Sequence, residues 1–209
     1  MKKLVDGIKL AVRSVMRRIA KILDTATKHK ITPNSVTWFG FAMHLPIAYL
    51  IATGDFIWAA ILLVIFGLFD TLDGELARLQ NRVTNNGGFL DASTDRLKEV
   101  LLYSGTAYYF ATTAHPKYAA LAAAACGASL SVSYVKAKGE AVIGSLKNKI
   151  PYTQLNRIFS DGFFPFEVRM VVLIVGLLAN QLAAAVLVVV IGSTITVFQR
   201  IYKVSRAIS

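Results

Sequence analysis

The sequence predicts an all-α integral membrane protein with six transmembrane helices, preceded by a basic amphipathic helix that lies on the membrane surface. Hydrophobic residues make up 55% of the 209 residues and charged residues only 17%, a balance that is unusual for a soluble domain. The apolar residues fall in stretches long enough to cross a bilayer. The net charge of +11 indicates contact with anionic lipid headgroups, and the absence of a separate basic domain argues against nucleic-acid binding.

The predicted elements follow in order along the chain. Residues 1–30 form the interfacial helix, because basic and apolar residues alternate there at helical spacing without a continuous apolar core. Thr32 is the expected N-cap of the first span, with Pro33 at its first helical position. Residues 31–209 form the transmembrane domain, with spans at about 34–53, 56–79, 89–112, 117–139, 166–180 and 182–204.

The connections between the spans are short, with one exception. Asn85-Asn86-Gly87-Gly88 predicts a turn between the second and third spans. The longer connection, about 140–165, is expected to contain a short interfacial helix. Cys126 is the only cysteine, which excludes a disulfide framework and a thiolate metal site.

The basic residues predict the orientation. All but one of the 23 lysines and arginines lie on the side of the two termini, and Lys117 is the exception. By the positive-inside rule, both termini are cytoplasmic and the protein is a multi-pass protein of the cytoplasmic membrane. The charged residues that border the spans then converge on the cytoplasmic half of the helix bundle. This convergence predicts a polar cavity that opens to the cytosol.

Four aspartates in one short window predict a metal site within this cavity. Asp70 and Asp73 are three residues apart near the end of the second span, and Asp91 and Asp95 are four residues apart at the start of the third. Each pair therefore shares one helix face. Placing carboxylates at the membrane boundary costs free energy unless a cation binds them, and hard divalent cations prefer oxygen ligands. Two acidic faces brought together would form a cage for one or two such cations.

The window 70–95 reads Asp-x2-Asp-Gly-x2-Ala-Arg-x8-Gly-x3-Asp-x3-Asp. This pattern resembles the motif of the CDP-alcohol phosphotransferase family, and the six-span arrangement also fits that family. The resemblance implies that an acceptor hydroxyl attacks the β-phosphorus of a CDP-linked lipid and releases CMP. It implies Mg²⁺, as one or two ions, with Mn²⁺ as a substitute. The implied metal ligands are Asp70, Asp73, Asp91 and Asp95, and Asp95 is also the implied general base.

The resemblance also implies a donor-binding set within the same window. The small residues would let the nucleotide approach the backbone, and the arginine offers a forked donor to phosphate. Arg82 is interpreted instead as a positive-inside residue, and Glu75 as a residue on the cavity rim or in solvent. The implied donor-binding residues are Asp70, Gly74, Ala77, Arg78 and Gly87.

The segment RVTNNGGFLDASTDR is most similar to the phosphatidylinositol phosphate and archaetidylinositol phosphate synthase branch of that family. SYVKAKGEA and TVFQR resemble further segments of this branch, in which Lys136 and Arg200 match phosphate contacts. Arg169 is the best match for a third contact, although PFEVRM departs from the pattern of the branch. The resemblance implies inositol 1-phosphate as acceptor and CDP-diacylglycerol or CDP-archaeol as donor. The alternative is that all three cations snorkel to the interface.

Other functions remain open at this point. A family enzyme that uses glycerol 3-phosphate or another alcohol would share the aspartate mechanism. A cation transporter lined by the aspartates explains buried carboxylates, but it does not explain small residues and an arginine at fixed spacing. A catalytically inactive lipid-binding scaffold is disfavoured by the intact motif. Homodimerisation is expected from the family resemblance alone.

Overall fold

The computed structural model describes residues 2–113, 115–145 and 163–208, and every regular element in these ranges is an α-helix. The all-α class is therefore confirmed. In chain order, the helices are α1 (Lys2–Ala26), α2 (Pro33–Ala42), α3 (His44–Thr53), α4 (Phe56–Gly67), α5 (Phe69–Leu79), α6 (Asn85–Thr112), α7 (Lys117–Ser145), α8 (Phe166–Leu178) and α9 (Leu182–Ile208).

Within the described ranges, four helical stretches are long and apolar enough to cross a membrane: Pro33–Thr53, Phe56–Leu79, Lys117–Gly144 and Leu182–Arg206. They coincide with the first, second, fourth and sixth predicted spans. Helix α8 has only 13 residues, about 20 Å of helix, and α6 carries several charged side chains, two of which belong to the motif. The membrane class is supported by these stretches, while the number of six spans stays a prediction.

The first two spans are interrupted, although the sequence predicted continuous helices. The first is divided at Met43 between α2 and α3. Pro46 explains this break, because its nitrogen has no hydrogen to donate to the carbonyl of Ala42 and its ring crowds that turn. The predicted start of α2 is confirmed, since the Thr32 hydroxyl accepts a hydrogen bond from the Ser35 amide at 3.2 Å. The second span is divided at Leu68, between α4 and α5.

The prediction of a turn at Asn85-Asn86-Gly87-Gly88 was wrong, because these residues form the first turn of α6. The Thr84 hydroxyl accepts a hydrogen bond from the Gly87 amide at 3.0 Å, which is an N-cap contact. This cap sets the helix start despite the low helix propensity of glycine. The chain turns earlier, at Asn81, whose φ of 54° lies in the left-handed region that asparagine tolerates.

The chain forms two compact units, one of residues 1–49 and 61–102 and the other of residues 50–60 and 103–209. In the first unit, α1 packs along α5. Met16 and Ala20 of α1 lie in one apolar cluster with Leu72 and Leu76 of α5. The N-terminal helix is thereby attached to the helix that carries the first two aspartates of the motif.

The end of α1 is fixed by hydrogen bonds to Asp24. Gln80 Nε2 donates to Asp24 Oδ1 at 2.7 Å and to the Ile31 carbonyl at 2.9 Å. His29 Nδ1 lies 2.8 Å from Asp24 Oδ2. The Gln80 amide, with a smaller contribution from His29, holds the pKa of Asp24 below its ordinary value although burial opposes this shift. These contacts join the loop after α1 to the end of α5.

In the second unit, α9 packs against α7 and α8. Gly176 of α8 permits the close approach to α9, because a Cβ at this position would collide with Ala185. The Phe164 amide donates to Thr196 Oγ1 at 3.0 Å and so fixes the entry to α8 on α9. The interfacial helix predicted for the 140–165 connection falls largely on residues 146–162, which lie outside the described residues.

Candidate active site

The structure brings three of the four motif aspartates together. Asp70 lies in the first turn of α5, and Asp91 and Asp95 lie on successive turns of α6. Each of the three offers one carboxylate oxygen, and these oxygens all lie within 4.8 Å of one another. One member of the predicted i, i+3 pair therefore meets both members of the predicted i, i+4 pair.

Asp73 occupies a neighbouring position. It is 6% exposed, and the Thr37 hydroxyl of α2 donates a hydrogen bond to its Oδ2 at 2.5 Å. Its carboxylate is not part of the three-residue cluster described above, although it lines the same cavity as Asp70 and Asp91. Thr37 was not singled out from the sequence, because a threonine 36 residues away from its partner gives no local signal.

Lys98 is a site residue that the sequence analysis missed. Its side chain is 1% exposed, and its ammonium group is hydrogen-bonded to Asp70 Oδ1 and lies 3.2 Å from Asp95 Oδ1. It was grouped with the positive-inside residues. The available signal was its position, three residues after Asp95 on the same helix face. The ammonium supplies positive charge among carboxylates that would otherwise repel one another.

The cluster fits a divalent metal ion. All of its ligand atoms are carboxylate oxygens, the donors that Mg²⁺ and Mn²⁺ prefer. Among the described residues, Asp91 Oδ1 is buried without a hydrogen-bond partner, which is costly unless a cation or water binds it. The residues that would hold the metal are Asp70, Asp91 and Asp95, with Asp73 beside them.

Replacing Asp91 by asparagine tests this fit directly. We expect Asp91→Asn to lower the affinity for Mn²⁺ by at least about tenfold, because one anionic oxygen ligand is lost. Titration of the purified protein with Mn²⁺, followed by electron paramagnetic resonance, measures this affinity. Asp55→Asn makes the same chemical change at an exposed position and serves as the control. Equal Mn²⁺ affinities in both variants would contradict the assignment of Asp91.

A cavity of about 370 Å³ adjoins the aspartates. Its wall includes every residue of the predicted donor-binding set: Asp70, Gly74, Ala77, Arg78 and Gly87. Arg13 of α1 and Arg82 also line it, and neither was assigned to the site from the sequence. The wall thus combines carboxylates, small residues and guanidinium groups. Such a surface can accept a ligand that carries both phosphate groups and bound metal.

Gly87 lies where space is restricted. A Cβ at Gly87 would approach Thr84 Oγ1 to 3.3 Å and Asn34 Oδ1 to 3.7 Å. A larger residue would therefore press on the N-cap of α6 and narrow the cavity. At Gly74 on α5 the space is less restricted, because a Cβ there would make an ordinary van der Waals contact of 3.4 Å with Arg78 Nη2.

Glu75 is not a rim or solvated residue, and that interpretation was wrong. Its side chain is 2% exposed and lies between two guanidinium groups. Arg17 Nε donates to Oε2 at 3.0 Å, and Arg78 Nη2 donates to Oε1 at 2.8 Å. The partner on α1 is 58 residues away in sequence, so no local pattern could indicate this pairing.

Residues 30–198 match the family model described as CDP-alcohol phosphatidyltransferase. The chain belongs to this family. The match includes both aspartate pairs, Lys98 and every cavity residue except Arg13 of α1. The family resemblance stated from the motif is confirmed, and the protein is accordingly a phosphotransferase.

Relatives of this phosphotransferase are named as phosphatidylinositol phosphate or archaetidylinositol phosphate synthases. It is 36% identical to the phosphatidylinositol phosphate synthase of Corynebacterium glutamicum over 130 residues, which cover 61% of this chain and 58% of that relative. It is 29% identical to the archaetidylinositol phosphate synthase of Pyrococcus horikoshii over 204 residues, which cover 97% of each chain. The first alignment therefore spans little more than half of its relative, and the second spans almost the whole protein.

The phosphotransferase also shares its fold with a solved structure. The phosphatidylinositol phosphate synthase of Mycobacterium tuberculosis, in a structure with CDP-DAG bound, superposes with a TM-score of 0.76. The sequences are 24% identical, and the match covers 91% of this chain and 94% of that chain. The same enzyme has been solved in complex with manganese and citrate, again with a TM-score of 0.76. These likenesses establish the fold of the phosphotransferase.

The three cations predicted to bind the acceptor all lie in the second unit of the phosphotransferase. Arg200 of α9 is 8% exposed and donates through Nη1 to the Val132 carbonyl at 2.7 Å. Val132 lies one helical turn before Lys136, so Arg200 is attached to α7 close to that lysine. Lys136 Nζ is 3.9 Å from Glu140. Arg169 is 1% exposed and donates to the Phe164 carbonyl at 3.1 Å.

Proposed function

We propose that this phosphotransferase transfers a phosphatidyl or archaetidyl group from a CDP-lipid to the hydroxyl of inositol 1-phosphate and releases CMP. The observation that carries the proposal is the cluster of Asp70, Asp91 and Asp95 beside the cavity that contains the whole donor-binding set. The named relatives support the acceptor. The donor is CDP-diacylglycerol or CDP-archaeol.

In this reaction, the acceptor oxygen forms a bond to the β-phosphorus of the donor. The bond from that phosphorus to the oxygen of CMP breaks, and CMP leaves with the electron pair. Asp95 accepts the proton of the acceptor hydroxyl during the attack. Arg78 donates to phosphate oxygens, and Gly74 and Gly87 leave room for the nucleotide. Bound Mg²⁺, or Mn²⁺ in its place, would neutralise the diphosphate charge.

We further propose that Lys136, Arg169 and Arg200 bind the phosphate of the acceptor. Arg200 and Lys136 are the best supported of the three, because the Arg200–Val132 hydrogen bond fixes the guanidinium on α7 within one turn of the lysine. A cation held by a hydrogen bond, with a second cation one helical turn away, suits a phosphate dianion. The competing acceptor is glycerol 3-phosphate, whose phosphate presents the same charge.

The proposed membrane arrangement has six spans in residues 31–209, with α6 and α8 completing the four apolar stretches. A helix within residues 1–30 lies at the cytoplasmic interface. Both termini and the active site face the cytoplasm, as the distribution of basic residues supports. We propose that two copies associate as a homodimer, in line with the family resemblance.

The proposal is tested by measuring CMP release from the detergent-purified protein. The assay contains Mg²⁺, CDP-diacylglycerol or CDP-archaeol, and one acceptor: inositol 1-phosphate, glycerol 3-phosphate, free inositol or serine. We expect release that depends on the metal and on inositol 1-phosphate. Release with glycerol 3-phosphate alone would retain the aspartate mechanism and replace the acceptor. Metal flux into proteoliposomes without CMP release from any mixture would favour a cation transporter instead.

The acceptor-binding residues are tested separately. We expect Lys136→Ala and Arg200→Ala to raise the KM for inositol 1-phosphate by about tenfold and to change the donor KM much less, because each removes a charged hydrogen-bond donor to the phosphate. Lys138→Ala, at an exposed position on the same helix as Lys136, is the matched control. An unchanged KM for inositol 1-phosphate in both variants would contradict phosphate binding by Lys136 and Arg200. It would favour the alternative that both side chains snorkel to the membrane interface.

A further inference from the structure

A buried carboxylate on α5 is bound by arginines from two helices. Glu75 is 3% exposed, and each of its two oxygens accepts a hydrogen bond from a different guanidinium group. Arg17 of α1 occupies Oε2 and Arg78 of α5 occupies Oε1. Glu75 lies five residues after Asp70, about 140° around the helix, so it points away from the aspartate cluster. Glu75 can therefore affect the site only through Arg17 and Arg78, the two arginines that it binds.

The partner that reaches the site is Arg78. One edge of its guanidinium is held by Glu75, and the nearby Gly74 leaves the space beside Nη2 open. Arg78 lines the cavity and is 54% exposed at its side chain. A long arginine side chain would otherwise sample many rotamers, and fixing it in advance removes that entropic cost from ligand binding. The remaining N–H groups of this planar fork can donate to phosphate oxygens.

The second partner connects the site to α1. Arg17 shares a carboxylate with Arg78, so the two guanidinium groups and Glu75 together carry one net positive charge. Arg13 lies one turn earlier on the same face of α1 and lines the cavity itself. The packing of Met16 and Ala20 against α5 holds both arginines in place. Helix α1 thus contacts the donor cavity directly through Arg13 and is connected to it indirectly through Arg17 and Glu75.

We propose that α1 is part of the donor-binding site. Arg17 and Glu75 are positioning residues that hold Arg78 for the phosphate groups of the CDP-lipid, and Arg13 binds the same groups from the other wall of the cavity. The inference rests on the proposed function, because it takes the donor to be a nucleoside diphosphate lipid. It adds three residues outside the motif pattern to the recognition of that donor.

The test is a double-mutant cycle between Glu75 and Arg78. Binding of CDP-diacylglycerol in mixed micelles with Mg²⁺ is measured by calorimetry for wild type, Glu75→Gln, Arg78→Ala and the double variant. We expect Glu75→Gln to raise the Kd about tenfold in the wild-type background and to have almost no further effect once Arg78 is absent. A merely structural role of Glu75 would raise the Kd by the same factor in both backgrounds, and this result would overturn the proposal.

Two further measurements keep the test decisive if Glu75→Gln folds poorly. Arg17→Gln changes a side chain that is 64% exposed, and we expect the donor Kd to rise about threefold while Mn²⁺ affinity stays unchanged. Arg13→Gln is expected to raise the donor Kd by about tenfold, and Arg18→Gln, an exposed change on the same helix, to leave it unchanged. Equal Kd values for the Arg13, Arg17 and Arg18 variants would overturn the role of α1.

The outcome for wild type separates this inference from the proposed function. Binding of CDP-diacylglycerol by wild type, with a cycle that shows no coupling, removes the role of Glu75 and leaves the proposed function intact. An absence of binding of both CDP-diacylglycerol and CDP-archaeol by wild type, with Mn²⁺ still bound, removes the CDP-lipid donor and this inference together.

Discussion

The Asp95→Asn variant is expected to release CMP about 1,000-fold more slowly than wild type while it retains most of its affinity for the donor. Asparagine has nearly the same shape as aspartate, and its amide oxygen can still accept the hydrogen bond from Lys98, which lies 3.2 Å from Asp95 Oδ1 in the native protein. The amide cannot take up a proton at neutral pH, so the acceptor hydroxyl loses its base. Single-turnover CMP release, with donor binding measured in parallel, separates these two effects.

The control for Asp95→Asn is a substitution on the same helix at a residue that has no part in the proposed reaction. Ser93→Ala lies two residues before Asp95 on α6, where the serine hydroxyl donates to the Phe89 carbonyl of its own helix at 2.8 Å. This control should turn over at close to the wild-type rate. Turnover by Asp95→Asn within a few-fold of that control would remove Asp95 as the general base.

The second large effect concerns stability. Lys98→Met should destabilise the metal-free protein by about 2 kcal/mol, because removal of the ammonium leaves two partly buried carboxylates without their counter-charge. Lys98 is 1% exposed and bonded to both Asp70 and Asp95, so its ammonium group is their nearest counter-charge. Millimolar Mg²⁺ should recover much of this loss, since a divalent ion that binds the native cluster supplies the missing charge and shifts the equilibrium towards it.

Unfolding of the purified variant in detergent, with EDTA or with Mg²⁺, measures both parts of this prediction. Lys138→Met, an exposed lysine on α7, is the control for the loss of a surface charge. A metal-free Lys98→Met protein as stable as wild type would show that the aspartates do not depend on this ammonium group. A loss that Mg²⁺ does not reduce would show that Lys98 acts through packing alone.

The sequence predicted the acidic half of the site because helix geometry is local. Once Asp70 and Asp73, and Asp91 and Asp95, are placed on helices joined by a short turn, their faces meet without any further information. The small residues were assigned from the family resemblance of the motif, and Gly74 and Gly87 do line the cavity. Local periodicity and a specific motif were sufficient for this part of the molecule.

The remainder of the site depends on contacts between distant parts of the chain. Lys98 was counted among the cytoplasmic lysines because a count of charges does not distinguish a surface ammonium from a buried one. Glu75 was misinterpreted and Thr37 was not singled out, because Arg17 lies 58 residues from Glu75 and Asp73 lies 36 residues from Thr37. Side-chain pairing across helices is set by packing, and a single sequence contains no direct record of it.

The helix boundaries illustrate a third kind of difference. Pro46 ends α2 early within a stretch whose hydropathy is uniform, so hydropathy alone gave one continuous span. At the other boundary, a single hydroxyl from Thr84 outweighed two glycines and two asparagines that favour turns. A missing backbone donor at Pro46 and an additional hydroxyl acceptor at Thr84 determine these two helix boundaries. The sequence interpretation relied instead on the average conformational preferences of the residues.

Lys98 also affects the order in which the protein folds and binds its metal. The chain carries its own counter-ion for the aspartate cluster, so insertion into the membrane and folding do not have to wait for a divalent cation. Newly made molecules can accumulate in a folded form when the metal is scarce. When the metal supply returns, this pool is ready to be loaded, and lipid synthesis can resume without new translation.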